Sequence, residues 1–277
     1  MKVLLICIFL ALTAGSIQGQ SYLALIDSSY VYADRGELLA AEVSLREALR
    51  KEPGNPNNYA LLTNLGTILR REGKKQEALE AYTAALGRFP NSKVILSNRA
   101  SLYLDMGEPD KAIADYSILL ISHPDDQEAL YSRGLVYIQK KNFLAAGQDF
   151  DQMLKLNPTS FYGRLGHAVL DKMEGNYDES ERIYNYLIDK MPREWQLYES
   201  RADLYFRMGK NARAMADVDK LFAETTPDAA LYVLRGKIKI ALYERESAAK
   251  DFQKAKEMGY DPIAIEELMK LTWKKDL

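Results

Sequence analysis

Residues 59–92 read YALLTNLGTILRREGKKQEALEAYTAALGRFPNS, two apolar-periodic stretches split at Gly73 and closed by Pro90. Leu62, Leu65 and Leu69 recur at helical spacing, and Ala78, Tyr82 and Ala85 repeat the pattern. Between the stretches, Gly73 supplies the left-handed residue that ends a helix, while Pro90 cannot continue one. The segment therefore predicts a helix–turn–helix hairpin. Its two members approach closely, because Gly66 and Ala78 carry no bulky side chain at the crossing.

The same pattern runs outward in both directions. Pro53, Pro90, Pro124, Pro158, Pro192 and Pro227 are separated by 37, 34, 34, 34 and 35 residues, which sets a period of 34. In that frame seven repeats occupy 22–55, 59–92, 93–126, 127–160, 161–194, 195–228 and 229–262, with Pro56-Asn57-Asn58 inserted after the first. Position 15 is Gly36, Gly73, Gly107, Gly175 and Gly209, replaced by Lys141 and Tyr243 in the fourth and seventh repeats. Position 8 is always small, from Ser29 to Gly236, and position 20 is alanine except for Ser180. Position 24 is large in every repeat (Leu45, Tyr82, Tyr116, Phe150, Tyr184, Val218, Phe252) and is expected to fill the core, with position 4 (Leu25, Leu62, Leu96, Leu130) and position 11 (Tyr32, Leu69, Tyr103, Tyr137, Tyr205) beside it.

Small residues at 8 and 20, an aromatic at 24, proline at 32 and the 34-residue period resemble the tetratricopeptide repeat, over residues 22 to 262. The resemblance implies an all-α, right-handed superhelical solenoid of seven hairpins. Its first helices would line a concave face that receives a peptide or a partner's helix. Chaperone-binding members of that family hold a two-carboxylate clamp beginning with lysine at position 5 and asparagine at position 9, and no repeat here has that pair. Ile26 with Tyr30 and Thr63 with Thr67 stand in those places, so a chaperone's acidic C-terminus is not an implied ligand, although Asn64 and Asn98 match a later clamp position. After Asp261, Pro262 suits the start of one further helix in 263–277 that caps the array, with Glu266 and Glu267 early and Lys274 and Lys275 late.

The N-terminus is a different kind of sequence. Lys2 precedes an unbroken apolar run from Val3 to Ala14, too short for a membrane span of about 20 residues and laid out like a secretory signal. Residues 1–19 are therefore expected to be removed, by a cut near Ala14-Gly15-Ser16 or after Gly19. Cys7, the single cysteine, would leave with them, so no lipid anchor, disulfide or thiolate metal site is expected. Without Lys2 the balance is 36 basic against 39 acidic residues, which recruits no nucleic acid by phosphate neutralisation. The expected compartment is the periplasm of a Gram-negative cell or the secretory route, with no membrane insertion after cleavage.

Two constellations are visible by comparing repeats. Arginine at position 7 and aspartate at position 23 occur together (Arg99 with Asp115, Arg133 with Asp149, Arg201 with Asp217, Arg235 with Asp251) or are both absent. Matched loss points to ion pairs within each hairpin rather than to a basic stripe for an acidic ligand. The first-helix face is polar in the first half of the array, with Tyr30, Thr63, Asn64, Thr67, Arg70, Ser97, Asn98, Ser101 and Tyr131 as candidate contacts. It reads either as a groove for an extended peptide centred on repeats two to four or as an ordinary solvated face. Tyr131, Tyr162, Tyr186 and Tyr260 are tyrosines outside the core positions.

For catalysis the inventory is short: His123 in a loop, His167 at position 7 of the fifth repeat, and no phosphate loop, metal motif or nucleophile elbow. The expectation is a non-enzymatic scaffold or adaptor, without cofactor or metal, that binds a protein or peptide partner. The alternative is a structural component of an envelope assembly that self-associates without a peptide ligand. Arg164 and Asp171 stand at positions 4 and 11 of the fifth repeat, where apolar residues belong, and so place a weak joint at residues 161 to 194.

Overall fold

The computed structural model describes residues 21–273; the expected signal segment and the 274–277 tail lie outside the described residues. Among these are fifteen α-helices and no strand: α1 (Tyr22–Asp34), α2 (Leu38–Lys51), α3 (Asn58–Arg71), α4 (Lys75–Arg88), α5 (Lys93–Asp105), α6 (Pro109–Ser122), α7 (Gln127–Gln139), α8 (Phe143–Leu156), α9 (Phe161–Glu174), α10 (Tyr177–Lys190), α11 (Trp195–Arg207), α12 (Asn211–Glu224), α13 (Ala229–Ala241), α14 (Arg245–Glu257) and α15 (Pro262–Trp273). The first fourteen pair as seven hairpins. None is long and apolar enough to cross a membrane.

Every hairpin turns the same way. The amide of position 16 donates to the carbonyl of position 11, from Glu37 to Tyr32 (2.9 Å) through Glu244 to Lys239 (2.8 Å), the six-to-one bond that satisfies a helix's last carbonyls around a left-handed residue. Position 15 is that residue, with φ of +70° to +91° at the five glycines. Lys141 (φ 59°) and Tyr243 (φ 64°) adopt the same conformation with a side chain.

Packing follows size. Positions 8, 20 and 24 are buried in every repeat, and no position-24 side chain is more than 4 % exposed. Burying a side chain of this size contributes about 1.5–3 kcal/mol. Ser180, the exception at position 20, is fully buried and donates to the Ala168 carbonyl at 2.7 Å, which ties α10 to α9. Position 11 behaves differently from expectation. Tyr32, Tyr103 and Tyr137 are only half-buried, and the guanidinium groups of Arg99 and Arg133 stand over the rings of Tyr103 and Tyr137, at 5.7 and 5.8 Å. Those two rings cover an arginine as much as they fill the core.

Position 10 sets the first hairpin apart from the other six. Ile68, Leu102, Val136, Leu170, Leu204 and Ile238 are all buried there, whereas Val31, in the first hairpin, is 46 % exposed. The three-residue insertion is pinned by Asn58. Its amide donates to the carbonyls of Glu52 (2.7 Å) and Pro53 (3.3 Å) and its oxygen accepts from the Tyr22 hydroxyl (3.0 Å). At the other end Ile265 of α15 is buried against Val233, Phe252 and Ala255.

The chain divides into two compact units, 1–149 and 150–277, with the boundary inside α8. Gly163 and Gly166 explain this in part. Neither has room for a Cβ, because Leu154 and the Phe150 ring occupy the space, so α9 closes directly onto the latter part of α8.

Candidate functional site

The position-7 arginines are not a ligand stripe. Each grips its position-23 aspartate through two parallel hydrogen bonds: Arg99 with Asp115 at 2.8 and 2.7 Å, Arg133 with Asp149 at 2.9 and 2.6 Å, Arg201 with Asp217 at 2.9 and 2.7 Å, and Arg235 with Asp251 at 2.9 and 2.6 Å. The aspartates are buried, and planar two-point pairing is what makes a desolvated carboxylate tolerable. Three of these arginines also reach back to position 25 of the preceding repeat: Arg99 to Thr83 (3.2 Å), Arg133 to Ser117 (2.9 Å) and Arg201 to Asn185 (2.6 Å). His167 occupies the arginine position in the fifth repeat and lies 3.0 Å from Asp151, again at position 25. The sequence held this signal as a polar residue sixteen positions before each of these side chains.

The polar face of the N-terminal unit is largely bonded to itself. Thr63, expected on an open face, is 7 % exposed and donates to the Tyr59 carbonyl at 2.7 Å. Thr67 donates to the Thr63 carbonyl (3.1 Å) and pairs with the Tyr82 hydroxyl (3.0 Å). Asn64 donates to the Tyr30 hydroxyl at 3.1 Å, and Arg70 pairs with Asp105 at 2.5 Å. Tyr131 is half-buried. Ser97, Asn98 and Ser101, also half-buried, make no side-chain hydrogen bond among the described residues and remain available.

A larger concavity forms in the C-terminal unit, on the same first-helix face but further along the chain. A groove of about 640 Å³ opens between α11 and α13, with Phe206, Val233, Leu234 and Tyr260 as apolar lining and Lys172, Glu199, Asp203, Arg207 and Lys237 as its charges. Asp203 holds Lys172 at 2.8 Å and Arg207 at 3.0 Å. Burial pushes the Asp203 carboxyl up, but the two cations together bring it below the usual carboxylate range. Glu199 has no such counter-ion. Burial raises its carboxyl above the ordinary value, the Asp228 and Asp203 carboxylates raise it further, and Lys172 offsets only part of this.

Beside the groove lies a smaller pocket of about 180 Å³, which shares Gln196 and Glu199 with it and adds Trp195, Thr225, Thr226 and Asp228, with Leu221 and Leu231. Asp228 caps α13 by accepting from the Leu231 amide at 2.8 Å. None of the candidate contacts expected from the sequence lines this groove, although Glu199, Asp203 and Arg207 lie on the first helix of the sixth repeat, the face those contacts were drawn from. Which repeats form a hollow depends on side-chain lengths on adjacent helices, here the small Ala230 and Val233 opposite Phe206.

Comparisons with known proteins agree with this architecture. The family model described as Tetratricopeptide repeat matches residues 27–93 and 98–161. A crystal structure of a tetratricopeptide repeat protein from Parabacteroides merdae is 62 % identical, covers 92 % of this chain and 100 % of that one, and superposes with a TM-score of 0.85. The crystal structure of PilW, a type IV pilus biogenesis factor, shares the fold at 18 % identity and a TM-score of 0.63, over 78 % of this chain and 98 % of that one. Human Tetratricopeptide repeat protein 6 is 28 % identical over 110 residues, 40 % of this chain, which spans about a fifth (21 %) of that protein. With the hairpin geometry, the packing code and a relative this similar over its whole length, the chain belongs to the tetratricopeptide repeat family.

Proposed function

We propose that this protein is an exported, non-enzymatic scaffold that holds a partner protein along the first-helix face of its repeats, chiefly in the groove between α11 and α13. One observation carries the reading: that groove exposes an apolar lining beside charges that are not all neutralised among the described residues, the combination a specific protein contact uses. Ser97, Asn98 and Ser101 offer a second set of polar contacts in the N-terminal unit. Export rests on the Lys2 and Val3–Ala14 pattern, and N-terminal sequencing of protein recovered from separated cell fractions tests it.

The groove is tested by placing a photo-crosslinking residue at Leu234 in one variant and at Ile121, which is 82 % exposed on the second helix of its repeat, in another. A partner adduct formed at 234 and not at 121 supports the reading. Adducts formed equally at both, or at 121 alone, overturn it.

A second reading, self-assembly, is favoured by Val31, an exposed apolar side chain whose six counterparts are all buried. Solution mass measured for the wild type and for Val31→Arg decides it: an oligomer that Val31→Arg dissociates supports self-assembly, and a monomeric wild type ends it.

A further inference from the structure

The small pocket beside the groove differs from the rest of that face in its charge. Its lining includes two carboxylates (Glu199 and Asp228), an indole (Trp195) and the Gln196 amide, and no lysine or arginine. The cation that acts on Glu199 and the one that stands by Trp195 are both engaged. Lys172 is held by Asp203 at 2.8 Å, and Lys220 donates to the Tyr198 hydroxyl at 2.8 Å while standing 4.2 Å from that ring and 5.9 Å from Trp195.

Glu199 itself has no hydrogen-bond or ion-pair partner among the described residues, and burial with two neighbouring carboxylates pushes its carboxyl up. A half-buried carboxylate without a counter-ion is a destabilising feature. It is relieved when a cation arrives, and the face of an indole is the side chain best suited to receive one.

We infer that this pocket receives a lysine or arginine side chain of the partner, with the partner's adjacent apolar side chains lying on Phe206, Val233 and Leu234 in the groove next to it. The proposal rests on the groove reading above and gives its occupant a chemistry: a segment in which a basic residue sits next to apolar ones. Glu199 belongs to both cavities, so one carboxylate sets the register between the charged anchor and the apolar stretch. Lys237 has no partner among the described residues and lines the larger groove. It disfavours a second basic residue on that side, and this makes the site selective for where the charge falls rather than for positive charge in general.

The test selects a phage-displayed library of random octapeptides on the full chain, on Glu199→Lys, on Glu199→Gln and on Leu234→Arg, with circular dichroism confirming helicity in each. The wild type is expected to enrich peptides carrying lysine or arginine within three residues of an apolar pair. Norleucine in place of that lysine should weaken the selected peptide about tenfold in fluorescence anisotropy. Glu199→Gln should lose most of this discrimination and Glu199→Lys all of it.

Enriched peptides without a basic residue, or a lysine peptide that binds Glu199→Lys as tightly as wild type, overturn the cation pocket. In that case the groove reading survives if Leu234→Arg abolishes binding. No enrichment on wild type over Leu234→Arg overturns both.

Discussion

The Tyr82 ring lies so close to Gly66 that a Cβ built on that glycine would stand 2.7 Å from its nearest ring carbon. The two residues belong to facing helices of one hairpin, and the ring cannot withdraw because it is fully buried and its hydroxyl is paired with Thr67. Gly66→Ala should therefore destabilise the N-terminal unit by about 1–3 kcal/mol, the usual cost of overpacking. Chemical denaturation gives the value, and an unchanged midpoint would show that the helices separate freely.

The Arg133–Asp149 clasp makes a prediction with an internal control. Arg133→Leu alone leaves Asp149 buried without its counter-charge, at a cost of about 3 kcal/mol. Adding Asp149→Ala should recover most of it, since the second repeat carries Leu65 and Ala81 at those two positions and is well packed. A double-mutant cycle with no coupling energy would remove the clasp from the stability argument.

Lys141 and Tyr243 hold a left-handed conformation that costs an L-residue about 1–2 kcal/mol, while five other repeats use glycine there. Lys141→Gly and Tyr243→Gly should each stabilise by about 0.5–1 kcal/mol once glycine's greater freedom in the unfolded chain is subtracted. Thermal melting of the two single variants checks this; a lowered melting temperature would mean that these side chains contribute more than the backbone strain costs.

Within the C-terminal unit the fifth repeat should open first. His167 and Ile183 occupy the two positions that hold an arginine–aspartate clasp in the sixth and seventh repeats. The buried Nε of Arg164 lacks an acceptor among the described residues, and burial pushes the Asp171 carboxyl up. Hydrogen exchange should be faster across α9 and α10 than across α11 and α12. Equal protection would show that Ser180 and the Arg164–Tyr186 contact, 4.8 Å from guanidinium to ring centre, compensate fully.

Glu199 gives stability a pH dependence of known sign. Its folded-state pKa lies above the unfolded value, so the ionised carboxylate is a cost at neutral pH that vanishes once the pH falls below about 4, where both states are protonated. Glu199→Gln should then raise the melting temperature at pH 7, and the gain should shrink towards pH 4. A gain independent of pH would assign the effect to something other than ionisation.

What the sequence disclosed and what it withheld divide along physical lines. Positions 8, 20 and 24 were legible because close packing constrains size at each position separately, and a repeat displays that constraint seven times. The arginine–aspartate clasps were legible because loss of one charge is matched by loss of the other. The groove was not. Position 5 is a buried hydroxyl at Thr63, a buried leucine at Leu165 and an uncompensated carboxylate at Glu199, and which of these faces open space depends on three successive helices at once. Thr63 and Thr67 read as ligand-binding hydroxyls, yet both donate to the carbonyl four residues earlier, an alternative that helical threonine always has.

The exposure of Val31 gives the array a direction of growth. A further hairpin stacked on the first would bury Val31 as Ile68 is buried in the second, whereas among the described residues nothing covers it. In the seventh repeat, by contrast, Val233 and Phe252 are already covered by Ile265 of α15. Such a protein can lengthen by repetition at one end while the groove near its other end stays as it is.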